Sequence, residues 1–411
     1  MVTKYDIFNV LYKNEQLKPT EIIDKLNKSK EDYKNVYRLL KELEKEGLVS
    51  SKESFFTIKK KQRTKELYEI INYCLKNNIN YNLLIDKNLI KFISEYLSKG
   101  KLNKKTSKLN PRTFKKYIEI LDKYELILIK SRKPFEAIIF FNNLINNLLV
   151  YFKLGNINVK KIDFDYFNEI KKELSLFYKL KKKNELGFRK IVEEFEVSFV
   201  HHSLSLEGNP ITLPDTIKIL KDKIIPGDLK SEDVDELKNY ENAILQMLKD
   251  SQEKKQLLFD SILNYHSLSM AHKKEIAGKI RSIEVHIKGN PNFKVSKVKD
   301  IQSDLEKLFI EYNNFIKNKN NINSIVKFAS YFHNEFQHIH PFIDGNSRIT
   351  RLITFHILNS SSIPILDIPL GLLDEYLDQT KGSRIRNDEL FQKSLGKIIL
   401  FNLKKINIRL R

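Results

Sequence analysis

The apolar positions divide the opening stretch into short periodic segments. Ile7, Val10 and Leu11 predict one helix, residues 19–26 a second and residues 33–46 a third. The third segment puts Val36, Leu39, Leu40 and Leu43 on one face and leaves Lys34, Arg38, Lys41 and Lys45 to solvent. Gly47 follows where a helix-terminating glycine belongs, and residues 48–58 then read as a strand pair. The order expected is helix, helix, helix, hairpin. A weaker version of that order recurs over residues 89–140. An amphipathic stretch at 89–97 leads into a basic run at 101–108 and a helix at 113–124, and two strands turn at 132–134. Residues 141–195 predict connecting helices, with a solvated cationic face at Lys179–Lys183. Further on, residues 325–338 and 347–358 predict two helices separated by a loop at 342–346, because Pro341 opposes continuation of the first helix and Gly345 permits a tight turn.

Composition narrows the class. With 411 residues the chain exceeds one typical domain, and 41% apolar against 30% charged residues is an ordinary balance for a folded soluble protein. No run approaches the length needed to span a bilayer, so no membrane is expected. Cys74 stands alone, which excludes an intramolecular disulfide and a cysteine-rich metal site, and a cytoplasmic location is expected. The formal charge of +21 is concentrated at the front, where the first 140 residues hold 31 basic against 18 acidic side chains. Such an excess attracts phosphate backbones, and it can equally reflect a Lys-rich genome composition.

The candidate chemistry lies in residues 340–351, HPFIDGNSRITR. A helix starting directly after a glycine-containing loop offers free backbone N–H groups to an anion. Arg348 and Arg351, three residues apart, can address successive phosphates from one side. Asp344 suits a hard cation accompanying those phosphates. His340 supplies a group that titrates near neutrality and can take a proton from an attacking hydroxyl. Together they predict group transfer from a polyphosphate.

These twelve residues resemble the motif of the Fic (filamentation induced by cAMP) family, His-x-Phe-x-Asp/Glu-Gly-Asn-Gly-Arg-x-x-Arg. Seven of eight defined positions are kept, and Ser347 replaces the usual glycine. The resemblance extends over roughly residues 195–400. It implies a protein adenylyltransferase that moves AMP from ATP, with Mg2+, to a Tyr, Ser or Thr hydroxyl. By the family's roles His340 is the general base, Asp344 holds Mg2+, and Asn346 with the Gly345 and loop amides surrounds the α-phosphate. Arg348 meets the β-phosphate and Arg351 the γ-phosphate, with Phe342 and Ser347 completing the nucleotide-binding motif. Residues 277–287 are similar to the family's flap, a β-hairpin whose Arg281, Ser282, Ile283, Glu284 and Val285 would align the target by strand addition. Residues 203–209, SLSLEGN, resemble the inhibitory helix of the self-inhibited subclass, implying that Ser203, Glu207 and Gly208 form a brake in which Glu207 pairs with Arg351.

The first 60 residues resemble winged helix-turn-helix domains. The implied architecture is a mainly α Fic fold with a small hairpin behind α+β winged modules. Its expected divisions are residues 1–62, a second winged module at 63–145, a helical connector at 146–194 and the Fic domain at 195–400. The partners expected are ATP and a protein target, with self-modification, DNA contact through the front modules and a homodimer left open. Two other functions also stay open: a DNA-binding transcriptional regulator whose Fic domain senses nucleotide, and an enzyme that removes AMP or transfers a phosphoryl group.

Overall fold

The structure, a computed structural model, describes residues 2–14, 16–100, 102–103, 109–155, 157–160, 165–287, 290–318, 321–380 and 385–411. It divides into two compact units, Met1–Ile162 and Asp163–Arg411. The first unit begins with α1 (Lys4–Tyr12), α2 (Pro19–Lys25) and α3 (Tyr33–Lys45), followed by β1 (Val49–Lys52) and β2 (Phe55–Ile58). Thr3 starts α1 with a reciprocal cap: its hydroxyl accepts from the Asp6 amide, and the Asp6 carboxylate accepts from the Thr3 amide. Val36, Leu39, Leu40 and Leu43 of α3 are buried, and Lys34, Arg38, Lys41 and Lys45 are exposed. Gly47, at φ +74°, closes α3 through Gly47 N–H to Glu44 O and Leu48 N–H to Leu43 O. Such a doubly bonded end needs a left-handed residue, which glycine adopts without strain. The chain turns there into β1, which pairs antiparallel with β2 from Val49↔Ile58 to Lys52↔Phe55.

A second set follows: α4 (Gln62–Lys76), α5 (Tyr81–Leu84), α6 (Lys87–Lys99), β3 (Leu102–Asn103), α7 (Pro111–Lys123), β4 (Ile127–Arg132), β5 (Phe135–Ile139) and α8 (Asn143–Tyr151). The three strands form one antiparallel sheet in the order β3-β5-β4. The basic run at 101–108 lies outside the described residues apart from Leu102 and Asn103, which form β3.

The second unit is helical: α9 (Tyr166–Lys183), α10 (Glu185–Ser205), α11 (Leu213–Ile217), α12 (Ser231–Gln252), α13 (Phe259–Ser269), α14 (Ile301–Lys317), α15 (Ile322–Ile339), α16 (Asn346–Ser360), α17 (Leu373–Gln379) and α18 (Asp388–Leu410). The stretch 146–194, expected as one connector, is shared between the units. Helix α8 lies within the first, whereas α9 packs against α18 and α10 against α12 within the second. Helices α15 and α16 pack as a pair around the loop 340–345, with α12 and α13 against α16 and α18 against α15. Helix α16 is apolar or tightly paired on every side, since Asn346 and all residues from Arg348 to Leu358 are buried. A helix covered all round is a central helix. No helix among the described residues is long and apolar enough to cross a membrane.

Both antiparallel hairpins belong to the first unit. The flap expected as a hairpin over 277–287 carries no paired strand among the described residues. A side chain does the work of a ladder there. The buried Arg281 guanidinium donates to the carbonyls of His340, Ile283 and Ser296, and its amide donates to Pro341 O. Groups that strand partners would otherwise satisfy are thereby occupied.

Candidate active site

The loop between α15 and α16 is shaped at both ends by unusual backbone. His340 caps α15 in the left-handed region (φ 50°, ψ 57°), its amide still donating to Phe336 O. Pro341 disfavours a right-handed helical conformation for the residue before it, so the chain must turn here. Gly345, at φ +82°, precedes the first residue of α16. A Cβ at this position would lie 3.1 Å from Met270 Sδ and 3.3 Å from His266 Nε2, so a side chain there would press on both neighbours besides straining the backbone. The first amides of α16, which have no partners within the helix, open toward the loop. Ser347 sits inside this first turn with helical backbone, a conformation that does not need glycine.

Two motif residues build the loop. The Asn346 side chain accepts from Phe342 N–H at 2.9 Å and donates to Phe342 O at 2.7 Å, closing the loop as a backbone pair would. Phe342 is fully buried and stacks on His266, with ring centroids 3.7 Å apart and planes 7° from parallel. Expected at the nucleotide, Phe342 therefore has no surface for one, and the side-chain amide of Asn346 is engaged by the protein. Arg281 likewise is buried beneath the flap it was expected to present, while Ser282, Ile283 and Glu284 are exposed and Val285 half-buried.

The remaining motif side chains converge. His340 donates from Nδ1 to Gln337 O at 3.2 Å, which leaves Nε2 as the nitrogen carrying the lone pair. Burial lowers the His340 pKa to about 4 against the opposing pull of that carbonyl, and Arg281 lowers it further, so the ring is neutral at pH 7. Asp344 meets Arg348 Nη2 and Lys273 Nζ, each at 3.0 Å, and Gly345 N–H at 2.6 Å. Burial favours its neutral form, but Arg348 and Lys273 outweigh burial and hold its pKa at about 2. Arg348 is buried, with Nη1 on the Glu236 carboxylate. Arg351, 1% exposed, donates from Nε to Ser203 Oγ at 2.6 Å and from Nη2 to Ser203 O at 3.0 Å and Glu207 Oε1 at 2.9 Å. Burial alone would weaken its charge, and Glu207 more than compensates. Gly208, at φ +97°, turns the chain directly after Glu207.

Four residues with no motif to announce them complete the site. His266 accepts from Gly278 N–H at Nδ1 (2.9 Å) and donates from Nε2 to Asp344 O (3.0 Å), tying the loop to the segment leading into the flap. Burial lowers its pKa to about 4. Lys273 pairs with Asp344, Met270 packs beneath Gly345, and Glu236 reaches Arg348 from α12. From the loop and α16 residues they touch they lie 71 to 112 residues away, so no local spacing to the motif marks them. Three other histidines are engaged within the protein: His333 bonds Asn334 and Tyr376, His338 bonds Lys294 O and His202 bonds Asp367. Among the described residues no group of three or more His, Cys, Asp or Glu side chains could hold a metal ion.

Residues 256–358 match the model of the Fic/DOC family. The chain is 25% identical over 288 residues to the protein adenylyltransferase Fic of Nematostella vectensis, covering 67% of this chain and 64% of that one. It is 27% identical over 193 residues to the protein of the same name from Drosophila persimilis, covering 46% and 36%. It thus spans between about a third and two thirds of the length of these curated relatives. Among solved structures, a Fic-domain-containing signaling protein from Bacteroides thetaiotaomicron shares the fold, with a TM-score of 0.53 at 20% identity over 59% of this chain and 97% of that one. The α15–loop–α16 centre, with His340, Asp344, Arg348 and Arg351 converging on it, is that of a Fic domain, which this chain carries at residues 256–358.

Proposed function

We propose that this chain transfers AMP from ATP to a hydroxyl of a protein side chain and that Glu207 restrains the reaction. The observation carrying the proposal is a neutral, half-buried His340 with Nε2 available, set beside a helix N-terminus flanked by two buried arginines. The target oxygen attacks the α-phosphorus, and its proton passes to His340 Nε2. The bond to the bridging oxygen breaks, and pyrophosphate leaves with the electron pair. The amides opening α16 take the charge of the α-phosphate, with Asn346 shaping the loop from which they project. Arg348 and Arg351 take the β- and γ-phosphates. The relatives named protein adenylyltransferase support the same activity.

Mg2+ fits the site as a guest arriving with nucleotide. Asp344 is one ionised, half-buried carboxylate, and Mg2+ is commonly held by one or two carboxylates together with substrate phosphates. When bound it would offset phosphate charge. The exposed edge at Ser282–Glu284 is the natural place for a target segment to lie. Glu207 competes with the γ-phosphate for Arg351, so the resting protein would hold ATP unproductively.

Intact-mass analysis of wild type, Glu207→Gly and Glu207→Gly/His340→Ala with ATP and Mg2+ tests the reading. AMP addition in the single variant alone supports it, whereas a phosphoryl adduct would keep the site and replace the reaction. The basic exposed face of α3 favours a second role, in which winged modules of the first unit dock on duplex DNA. Duplex binding that weakens steeply with salt would support that role.

A further inference from the structure

Helix α12 touches both phosphate arginines from one face. Its Tyr240 hydroxyl bonds Ser203 Oγ at 2.7 Å, and the same Oγ accepts from Arg351 Nε. One turn earlier, Glu236 divides its carboxylate: Oε1 accepts from Arg348 Nη1, and Oε2 accepts from Asn209 Nδ2 at 2.8 Å. Asn209 is itself held, because Nδ2 also reaches Asp233 O at 3.2 Å and Oδ1 accepts from Ile211 N–H at 3.0 Å. The segment 203–209 therefore acts on Arg351 directly, through Ser203 and Glu207, and on Arg348 indirectly, through Asn209 and Glu236.

The consequence for Arg348 follows from its other contacts. Its guanidinium is 97% buried and has two anionic neighbours, Asp344 on Nη2 and Glu236 on Nη1, while Nε is buried with no hydrogen-bond partner among the described residues. Asp344 is the carboxylate that would turn to a cation. Glu236, on a helix and tied to Asn209, stays. A guanidinium gripped at Nη1 keeps its orientation while Nη2 and Nε become available to an oxyanion.

We propose that Glu236 is the positioning residue that aims Arg348 at the β-phosphate, and that Asn209 links this aim to the segment carrying Glu207. The proposal rests on the nucleotide-transfer reading above and adds a residue outside the motif. It also distinguishes the two restraints: withdrawing Glu207 frees Arg351, whereas Glu236 keeps hold of Arg348 in resting and active states alike.

The test is calorimetric titration of Glu207→Gly/His340→Ala, which cannot turn over, with ATP–Mg2+ and separately with AMP. Adding Glu236→Ala should weaken ATP by about tenfold or more, the effect of losing one charge-assisted hydrogen bond, and should leave AMP unchanged because AMP has no β-phosphate. Glu236→Gln keeps an oxygen for Arg348 but turns an amide toward Asn209, and should restore most of the ATP affinity. Asn209→Ala should weaken ATP by less, with no further loss when combined with Glu236→Ala. Equal weakening of ATP and AMP, unchanged ATP binding in Glu236→Ala, or additive losses in the double variant would overturn the assignment. Absence of ATP binding in the parent variant would instead take down the transfer reading and this assignment with it. Melting temperatures identify a variant that fails to fold, in which case Glu236→Gln and Asn209→Ala decide the matter.

Discussion

Replacing Glu207 by Ala strands a buried charge, and the size of the effect can be worked from the contacts. Arg351 keeps its two bonds to Ser203 and loses its only carboxylate among the hydrogen bonds described. Removing one partner of a buried ion pair costs about 3–5 kcal/mol. The lower end applies, because the Glu207 side chain is 20% exposed and Ser203 still supplies two oxygens. In a unit of this size about 1 kcal/mol moves the melting temperature by about 2–4 °C, so Glu207→Ala should melt about 6–12 °C below wild type. Glu207→Gln keeps an acceptor oxygen and should lose less. Nucleotide should narrow the gap between the two proteins. ATP–Mg2+ at about 100 times its Kd adds about 2.7 kcal/mol, or about 5–11 °C by the same conversion. The variant should gain this in full, whereas wild type, where phosphate must displace Glu207, should gain less. Differential scanning fluorimetry with and without ATP reads all four values. Equal melting of variant and wild type, or equal gains with ATP, would refute the claim that Glu207 holds Arg351 in competition with phosphate.

Four further outcomes are expected at the site. In the Glu207→Gly background His340→Ala should lower AMP transfer by about 100- to 10,000-fold. In the same background kcat/KM should be flat near neutrality and fall as pH drops through about 4, since a lowered histidine pKa keeps the base form present above that value. His266→Ala leaves Asp344 O and Gly278 N–H without their shared partner. It should cost about 2–4 kcal/mol in denaturant unfolding and lower kcat through a slackened loop. Gly345→Ala forces a Cβ against Met270 and His266 at a left-handed residue and should reduce both melting temperature and ATP binding, whereas Ser347→Gly, at a position with helical backbone, should leave the loop's activity in place.

The motif's turn and its pair of arginines were legible because their signals are local. Residues 340–351 carry their own turn signals, Pro341 and Gly345, and helical spacing alone puts Arg348 and Arg351 on neighbouring faces. The pairing of Glu207 with Arg351 was expected for a different reason, from a resemblance in residues 203–209, and the two side chains meet at 2.9 Å. The α3 helix and the hairpin after it could be read from apolar period and Gly47, since each depends on neighbours within about ten residues.

What the local pattern could not reveal was which motif residues face the site and which face the core. Phe342 and Asn346 have the same standing in the motif as Asp344, yet packing against His266 buries the first and the loop's own backbone engages the second. Arg281 belongs to the expected flap by sequence, but three carbonyls from different segments draw it inward and replace a strand ladder. His266, Lys273 and Glu236 complete the constellation from 70 or more residues away. A chain records which groups it contains and the period at which they recur. Which distant carboxylate meets which buried arginine is decided only when the helices pack, because a desolvated charge must find its partner in space.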